Sequence, residues 1–511
     1  MWTAPHGKRL VYLVHRWTGV GGCILMLLWV LSGGVMLFVG YPKLLPEERL
    51  QKLPPLDQPG CCVPVEVAVA RSRAPSEVQQ IKLTSVADQP RYLVNQANGD
   101  YRAVDAVTGR LVPPVDGEAA LTSARAFLRG VHAEGEGPID DDRWTHSGAL
   151  DAHRPLFKVQ MHDAEATLLY VSSTTGEVVM DAPLAQRNWN YAGAWLHWLY
   201  MFRDGSRDPV WSWLVIVLST VCTVSALTGA LAGLWRWRFS GHYKSGSKTP
   251  YRAFQMHWHH ITGLLFGVVL VAWIFSGLMS MNPLGIFDPK DERPNQAAYR
   301  QGSPGTVRPT IDTSGALTLL HKAKFAASEI EWRVMGGVPY LLARNSAGTT
   351  RLVVADATGF KVIERWADDQ LAAAGTRLMK SSLLSAQAVG EYDAYYYQRQ
   401  ATSMYGAAER HLPVLRLDFA DSGRTLVYLD PYTGDVALSV DRSQRIERWL
   451  FNLLHSWDLP SFLRFAAARE AILIVLSLGS LAIAVTGTVI GYRRLKIFWL
   501  QSLRKATARA T

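Results

Sequence analysis

Four histidines recur in two repeated contexts, and their type and spacing make them the best candidates for chemistry. His15 begins HRWTGVGGCILMLLWVLSG and His259 begins HHITGLLFGVVLVAWIFSG, so each copy starts His-x-x-Thr-Gly and has a tryptophan fourteen positions later. His197 and His455 each follow a leucine in a second repeated context. An imidazole nitrogen can bind a metal ion, so ligation is the candidate chemistry here.

The residues of the first context share one face of a helix. At about 100° of rotation per residue, a histidine, glycines and a tryptophan fall on one stripe in each copy. The stripes are His15, Gly19, Gly22, Met26, Trp29 and Gly33, and His259, Gly263, Phe266, Leu270, Trp273 and Gly277. The glycines leave room for a flat macrocycle or for a close neighbouring helix. The histidine favours a function, because an ionisable group at membrane depth is costly.

Four apolar stretches, each about 20 residues or longer, predict membrane spans. They are residues 19–39, 210–234, 261–281 and 471–490. Lysine and arginine flank the first and fourth stretches and fill the short link between the second and third, which predicts cytoplasmic termini and a cytoplasmic link. The net charge of +10 is therefore a topology signal, and no nucleic acid partner is expected. The large segments between spans are predicted to lie outside, in a periplasm where the cell has one.

An internal repeat organises the chain. Residues 167–178, TLLYVSSTTGEV, match residues 425–436, TLVYLDPYTGDV, and the offset of 258 holds as far as Arg236 and Arg494. An offset kept over so long a stretch is strong evidence of duplication. Between the spans, β-branched runs closed by Thr-Gly turns alternate with short helical patterns, which predicts α+β modules. Each half is thus expected to contain a span, an exterior domain, a short apolar approach and a second span.

The predicted fold is a membrane α-helical protein: a four-helix transmembrane bundle from an internal duplication, with two exterior α+β domains. The expected parts are transmembrane helix 1 (8–40), the first exterior domain (41–188), an interfacial helix with transmembrane helix 2 (189–238), a cytoplasmic loop (239–255), transmembrane helix 3 (256–282), the second exterior domain (283–445), an interfacial helix with transmembrane helix 4 (446–495) and a cytoplasmic tail (496–511). The stretch 368–404 looks inserted, and its tyrosines are expected to pack rather than to line a binding surface: Tyr392, Tyr395, Tyr396 and Tyr397.

The histidines are predicted to lie at two depths. Interfacial tryptophans surround His197, which predicts that His197 and its counterpart His455 lie at the outer face. His15 and His259 are predicted to lie together at the inner face. Duplicated halves that pack about a pseudo-twofold axis bring equivalent residues together. That arrangement predicts an inner pair, His15 with His259, and an outer pair, His197 with His455. Two imidazoles on facing helices can take both axial positions of a haem iron, and one haem at each face would form an electron path across the membrane.

Some alternatives remain open. A lone interfacial histidine usually just packs, but four in register favour ligation. A Zn²⁺ site is a weaker interpretation, because Cys, Asp or Glu ligands in fixed spacing are absent. His257 and His260 are rivals of His259; they lie about 200° and about 100° away on the helix, so one of the three is expected to face the bundle, and the repeat selects His259. The role of the adjacent Cys61 and Cys62 stays open, because neighbouring cysteines bridge each other only with strain.

The chain resembles the PepSY-associated transmembrane family. The resemblance rests on the paired HxxTG…W…SG spans, on the LLYVSSTTGEV and LVYLDPYTGDV strands, and on Leu-His before the even-numbered spans. It implies PepSY-like exterior domains, two b-type haems in a four-helix core, and the activity of bacterial inner-membrane ferric-siderophore reductases on a periplasmic iron chelate. In this chain the haem ligands would be His15, His259, His197 and His455.

The electron donor is expected to lie outside this chain. The sequence has no G-x-G-x-x-G fingerprint and no P-loop, and its cytoplasmic segments are too short for a flavin or nicotinamide domain, so membrane quinol or a separate donor is expected. Reduction of a ferric chelate, with release of iron(II), needs no catalytic acid, base or nucleophile. The main alternative is a membrane-anchored PepSY regulatory or binding protein without redox activity. A transporter is a weaker alternative, because no broken helix places charge at the midplane.

Overall fold

The computed structural model describes residues 4–57, 61–72, 78–205, 208–290, 292–305, 312–356, 359–401, 403–404, 406 and 408–510. The side chains of residues 4, 5 and 503–510 lie outside this described part. Residue 511, the last residue of the expected cytoplasmic tail, also lies outside the described part.

The helices fall into four long ones and many short ones. In chain order they are α1 (Ala4–Met36), α2 (Pro46–Gln51), α3 (Val65–Ser72), α4 (Gly117–Phe127), α5 (Leu184–Asn190), α6 (Pro209–Arg236), α7 (Phe254–Ser280), α8 (Gln296–Arg300), α9 (Thr313–Lys322), α10 (Asp368–Gly375), α11 (Arg442–Glu447), α12 (Leu454–Ser456), α13 (Pro460–Leu463) and α14 (Ala466–Ala510). Two π-helical segments, Tyr191–Trp195 and Arg448–Leu453, follow α5 and α11. Short 3₁₀ turns occur at Gly148–His153, Tyr200–Phe202, Pro283–Gly285 and Thr376–Leu378.

The long helices α1, α6, α7 and α14 form a four-helix bundle. Within the described residues, the segments long and apolar enough to cross a membrane are His6–Met36, Pro209–Arg236, Phe254–Ser280 and Ala466–Ser502. The four predicted spans are confirmed as helices, and the chain is a multi-pass membrane protein. Each long helix packs against two others, in the cyclic order α1, α6, α7, α14. Therefore α1 and α7 lie on one diagonal of the bundle.

The two ends of the bundle differ. We call the end where residues 237–253 connect α6 to α7 the link end, and the opposite end, which leads to the β-sheets, the sheet end. Between them, buried apolar side chains pack in the bundle core, among them Met26, Trp29, Leu270 and Ile274. In a lipid environment this close packing, rather than the hydrophobic effect, holds the helices together.

The strands form three antiparallel sheets. They are β1 (Val78–Val86), β2 (Gln89–Gln96), β3 (Tyr101–Asp105), β4 (Ala133–Ile139), β5 (Leu156–Met161), β6 (Leu168–Ser172), β7 (Val178–Ala182), β8 (Glu329–Met335), β9 (Val338–Arg344), β10 (Thr350–Asp356), β11 (Gly359–Ile363), β12 (Leu383–Val389), β13 (Val414–Phe419), β14 (Leu426–Leu429) and β15 (Val436–Val440). Strands β4 to β7 form one four-stranded sheet in chain order, and β12 to β15 form another. The central sheet has seven strands in the order β11-β10-β9-β8-β1-β2-β3.

The central sheet joins the two long segments that connect the helices at the sheet end, residues 37–208 and 281–465. β1 pairs with β8, so Ile81 lies opposite Trp332 and Leu83 lies opposite Ile330. The side chains of Ile81, Leu83, Ile330 and Trp332 share one buried core. The expectation of two exterior domains therefore does not describe this sheet, which draws strands from both. Alternating hydrophobicity determines which face of a strand is buried, but it does not specify which strand pairs with it.

A buried charge cluster reinforces the same junction. Arg49 and Lys82 come from the first half, and Arg49 contacts Glu329 of the second half at 2.6 Å. Lys82 lies 2.7 Å from Glu177 and 3.7 Å from Glu329. Burial alone would raise the pKa of Glu329, but the charges of Arg49 and Lys82 outweigh it and lower that pKa to about 2. The cluster is thus ionised at neutral pH and joins the two halves electrostatically.

The Thr-Gly turns close the hairpins as predicted. Gly176 ends the β6 turn with φ +76° and Gly434 ends the β14 turn with φ +75°, a conformation that glycine adopts without steric cost. A Cβ atom on Gly434 would also lie 2.5 Å from the hydroxyl oxygen of Tyr340. In each turn the next residue is acidic and forms an ion pair: Glu177 contacts Lys82, and Asp435 lies 2.6 Å from Arg333.

The structure also bears on the remaining sequence features. Cys61 and Cys62 are joined by a disulfide. Tyr396, in the stretch expected to be an insertion, is fully buried and stacks on Tyr428 with ring centres 5.0 Å apart. The expected packing role is therefore confirmed for Tyr396.

Candidate functional site

The link-end pair lies across the diagonal of the bundle. His15 on α1 and His259 on α7 have ring centres 6.3 Å apart, with 24° between the ring planes. Because α1 and α7 are diagonal rather than adjacent, their histidines meet near the bundle axis. The two halves of the chain therefore contribute one imidazole each.

The ring of His15 is held by α6. Its Nδ1–H donates to the carbonyl oxygen of Ser225 at 3.0 Å. A Cβ atom built on Gly229 would lie 2.6 Å from the Cε1 atom of His15. Glycine at this position is what allows the imidazole to lie against the helix backbone.

The ring of His259 is held in the same way by α14. Its Nδ1–H lies 3.2 Å from the carbonyl oxygen of Ile483 and 3.1 Å from the hydroxyl of Thr486. A Cβ atom on Gly487 would lie 3.2 Å from the Cε1 atom of His259. Each ring of the pair is thus fixed by the second long helix of its own half.

The sheet-end pair is formed by His197 and His455, which follow the two π-helical segments. Their ring centres are 6.2 Å apart, with 68° between the ring planes. Single π-helical turns are uncommon and occur often at functional sites. Trp29 supports His197 by donating its indole N–H to the carbonyl oxygen of that histidine at 2.8 Å.

Serine hydroxyls fix the orientation of both sheet-end rings. Ser32 lies 3.1 Å from Nδ1 of His197, and Ser276 lies 3.0 Å from Nδ1 of His455. Each hydroxyl has one proton, which Ser32 donates to the carbonyl of Leu28 and Ser276 to that of Trp273. The hydroxyl oxygen is then left to accept, so Nδ1 of each histidine carries the hydrogen.

All four histidines therefore share one setting, a Ser-Gly or Thr-Gly dipeptide on a neighbouring long helix. The glycines are Gly33 beside His197, Gly277 beside His455, Gly229 beside His15 and Gly487 beside His259. From the sequence, the glycines of the long helices are expected to leave space for a macrocycle or for a neighbouring helix. Gly22, which faces Cys222, fits the second interpretation, whereas the four glycines of the dipeptides face imidazoles.

The hydrogen bonds at Nδ1 leave Nε2 of each ring available to bind a metal ion. Among the described residues, Nε2 of these four histidines has no hydrogen-bond partner. Two nitrogens about 2.0–2.1 Å from one ion, on opposite sides of it, place their ring centres about 6 Å apart. The separations of 6.3 Å and 6.2 Å match this arrangement. A hydrogen bond at the other ring nitrogen is also the usual support of a metal-bound histidine.

The donor set at each end fits an ion that needs only two protein ligands. Within the described part of the chain, no group of three or more His, Cys, Asp or Glu side chains is arranged to hold a metal ion. A structural Zn²⁺ ion usually takes four protein ligands, whereas a haem iron takes two axial ligands because the porphyrin supplies the others. A Cβ atom on the buried Gly267 of α7 would meet nothing within 4 Å, so the bundle also contains free space.

The rivals of His259 have other partners. His260 is buried and uses both ring nitrogens: Nδ1 lies 2.6 Å from the Thr249 hydroxyl, and Nε2 lies 2.9 Å from the Gly233 carbonyl. His257 contacts the Tyr251 carbonyl through Nδ1 at 3.2 Å. The expectation that a single histidine of the three faces the bundle was wrong, because His260 is also packed against α6. His259 is the one that faces His15.

A polar network lies beside His455. Asp458 is almost fully buried and accepts from Arg448 at 2.7 Å and from the Tyr397 hydroxyl at 2.7 Å. Arg399 also pairs with Asp458. Tyr397 and Arg399 belong to the stretch 368–404, so that stretch packs against the turn that carries the sheet-end histidine. The sequence held no signal for this contact, because the two segments are far apart along the chain.

The sequence comparisons agree with this architecture. A family model described as the PepSY-associated TM region matches residues 12–334, which is more than half of the chain and includes three of the four histidines. A search of curated proteins gave no significant match. With its bundle of apolar helices and its attached antiparallel sheets, the chain belongs to the PepSY-associated transmembrane family.

Proposed function

We propose that this protein is a di-haem membrane oxidoreductase that carries electrons from the link end to a ferric chelate, such as a siderophore, at the sheet end. The observation that carries the proposal is that each end of one bundle has a pair of imidazoles. The ring centres are 6.3 Å apart in the His15–His259 pair and 6.2 Å apart in the His197–His455 pair. No single packing role accounts for four histidines that all direct Nδ1–H to a neighbouring helix and leave Nε2 free.

In the proposed assignment, His15 and His259 hold one b-type haem, and His197 and His455 hold the other. When bound, the two iron centres would supply reversible one-electron transfer between the faces of the membrane. The chain's own contribution is to fix each imidazole: Ser32 and Ser276 at the sheet end, and the Ser225 and Ile483 carbonyls at the link end, hold the ring orientation. The apolar layer of Met26, Trp29, Leu270 and Ile274 excludes water between the two sites.

The proposed orientation places the link end in the bacterial cytoplasm and the sheets in the periplasm. Basic residues of the link, including Arg238, Lys244 and Lys248, support it through the positive-inside rule. Electrons would enter from quinol or a separate donor. One electron converts the iron(III) chelate to the iron(II) chelate, and the hard oxygen ligands of a siderophore hold iron(II) more weakly, so the ion is released.

We further infer that the bundle arose by internal duplication. The support is the repeated geometry: His15 with Ser225 and Gly229 corresponds to His259 with Ile483 and Gly487. The four-stranded sheets β4 to β7 and β12 to β15 also have the same strand order. In this view each half provides one ligand per site, and the sites form where the halves meet.

The proposal is tested on the purified full-length protein in detergent. A reduced-minus-oxidised absorption spectrum with a haem count should give a low-spin b-type spectrum and two haems per chain. His15→Ala and His197→Ala should each remove one haem, at different ends. His257→Ala is the matched control, because His257 lies on the same helix as His259 but hydrogen-bonds to the Tyr251 backbone carbonyl, and it should retain both haems.

A second measurement separates electron delivery from mere haem binding. Chemically reduced protein should be reoxidised rapidly by a ferric siderophore and should stay reduced with the gallium(III) form, which has the same shape but cannot accept the electron. Protein that is colourless after expression with haem supplied, and whose partner binding is indifferent to all four histidines, would overturn the proposal in favour of a membrane-anchored binding protein.

A further inference from the structure

The exterior sheet of the first half carries a second, independent group of metal-binding side chains. His132 directly precedes β4 and His162 directly follows β5, and the backbone N–H of His162 donates to the carbonyl of His132 at 2.9 Å. The two residues are therefore cross-strand neighbours at the rim of this sheet. Their ring centres are 5.2 Å apart.

A carboxylate lies beside the two rings. Glu134 follows His132 by two positions, so both side chains lie on the same face of the strand. Its Oε2 atom lies 3.1 Å from Nε2 of His162. The side chains of His162 and Glu134 are 48% and 68% exposed, and His132 is also exposed, so an ion in solution can reach all three.

We propose that His132, His162 and Glu134 form a surface site for a divalent transition-metal ion such as Zn²⁺ or Ni²⁺. Two imidazole nitrogens about 2.0–2.1 Å from one tetrahedral ion place their ring centres about 5 Å apart, which agrees with the observed separation. Imidazole and carboxylate together suit first-row divalent ions, with water at the open positions.

The site closes only when the ion draws the exposed side chains together. Within the described residues no three such side chains already converge in metal-binding geometry, and the Glu134 carboxylate now contacts one ring instead. The proposal is independent of the haem assignment, because the position equivalent to His162 in the second half is Ala420. The surface site is thus a feature of one half and not part of the repeated histidine pattern.

Calorimetric titration of the full-length protein in detergent with Zn²⁺ tests the proposal. The wild-type protein should bind one more ion per chain than His132→Asn or His162→Asn, and Glu134→Gln should weaken binding of that ion without abolishing it. His321→Asn is the matched control, since His321 is an exposed histidine on α9 outside the cluster, and it should bind as the wild type does.

Cu²⁺ provides a spectroscopic readout of the same site. The electron paramagnetic resonance spectrum of the wild-type protein at one equivalent of Cu²⁺ should show nitrogen couplings that disappear in the His132→Asn/His162→Asn double variant. Equal ion counts and unchanged Cu²⁺ spectra in wild-type and double-variant protein would overturn the proposal. All three positions are exposed, so the substitutions should leave the melting temperature unchanged. That measurement shows that the variants fold.

Discussion

The imidazole of His15 lies against Gly229 so closely that a methyl group on that glycine would be 2.6 Å from the Cε1 atom of the ring. Real Cβ atoms do not approach a neighbour to this distance, so one of the two helices or the ring must move. The His15 ring can occupy its position only because residue 229 has no side chain. The contact also gives a direct way to disturb one histidine pair and not the other.

In the proposed di-haem assignment, Gly229→Ala should remove haem from the link end alone. The added methyl group displaces the His15 ring, while His197 and His455 are at the opposite end of the bundle, so the haem count should fall from about two to about one per chain. Gly233→Ala is the control on the same helix, because its Cβ atom would make only ordinary contacts, the nearest at 3.6 Å from Leu264. A full haem count in Gly229→Ala would contradict the assigned geometry.

Ser276→Ala should weaken haem binding at the sheet end. The substitution removes the hydroxyl that accepts from Nδ1 of His455, and loss of such a supporting hydrogen bond commonly costs about 10–100-fold in metal affinity. The iron potential of that site should also rise, because the imidazole becomes a weaker base. Both effects are measured by haem titration and by redox potentiometry.

Two variants control for the serine substitution. Ser280→Ala removes a hydroxyl one turn further along α7 that donates to the Gly277 carbonyl and contacts no histidine. Ser276→Thr keeps the hydroxyl and should restore most of the affinity. If Ser276→Ala and Ser280→Ala have the same affinity and potential, the serine does not position His455.

Glu329→Gln should destabilise the central sheet by about 3 kcal/mol at pH 7, because Arg49 and Lys82 then have one buried acidic partner fewer. The pKa of Glu329 is lowered in the folded protein to about 2. Its stabilising effect is therefore fully present above the unfolded pKa of about 4.5 and is lost as the pH falls towards 2.

The corresponding measurement is thermal unfolding of full-length protein across this pH range. The difference between wild type and Glu329→Gln should shrink steadily on acidification. Glu364→Gln is the control: Glu364 also pairs with an arginine, at 2.9 Å, but is 74% exposed, so its removal should cost about 0–1 kcal/mol. A difference that does not change with pH would refute the electrostatic origin.

Ile330→Ala should loosen together the strands that both halves contribute to the central sheet. Ile330 is fully buried, opposite Leu83 in the β1–β8 pair, so the truncation should cost about 2–5 kcal/mol. Hydrogen exchange should accelerate in β1 and β2 as well as in β8 and β9, because the strands belong to one sheet. Val338→Ala, at a position 45% exposed on β9, should have little effect. Acceleration confined to the second half would show that the halves unfold separately.

The sequence alone determined the local parts of this protein. Apolar length predicted the four spans, and the histidine, glycine and tryptophan stripes identified His15 and His259. The repeat selected His259 over His257 and paired it with His15, and it paired His197 with His455. The Thr-Gly turns marked the hairpins around Gly176 and Gly434. These predictions succeeded because helical and strand periodicity is written into short stretches of sequence.

How the parts meet follows from the three-dimensional fold. It placed α1 and α7 on a diagonal, so that His15 reaches His259 across the bundle, and it set Gly229 and Gly487 against imidazole rings. It buried His260 beside Gly233, where helical angles alone predicted a single inward histidine. It also joined β1 to β8 in one sheet. Periodicity shows which residues share a face of a helix or strand. The element that packs against that face depends on long-range contacts, which a single stretch of sequence does not specify.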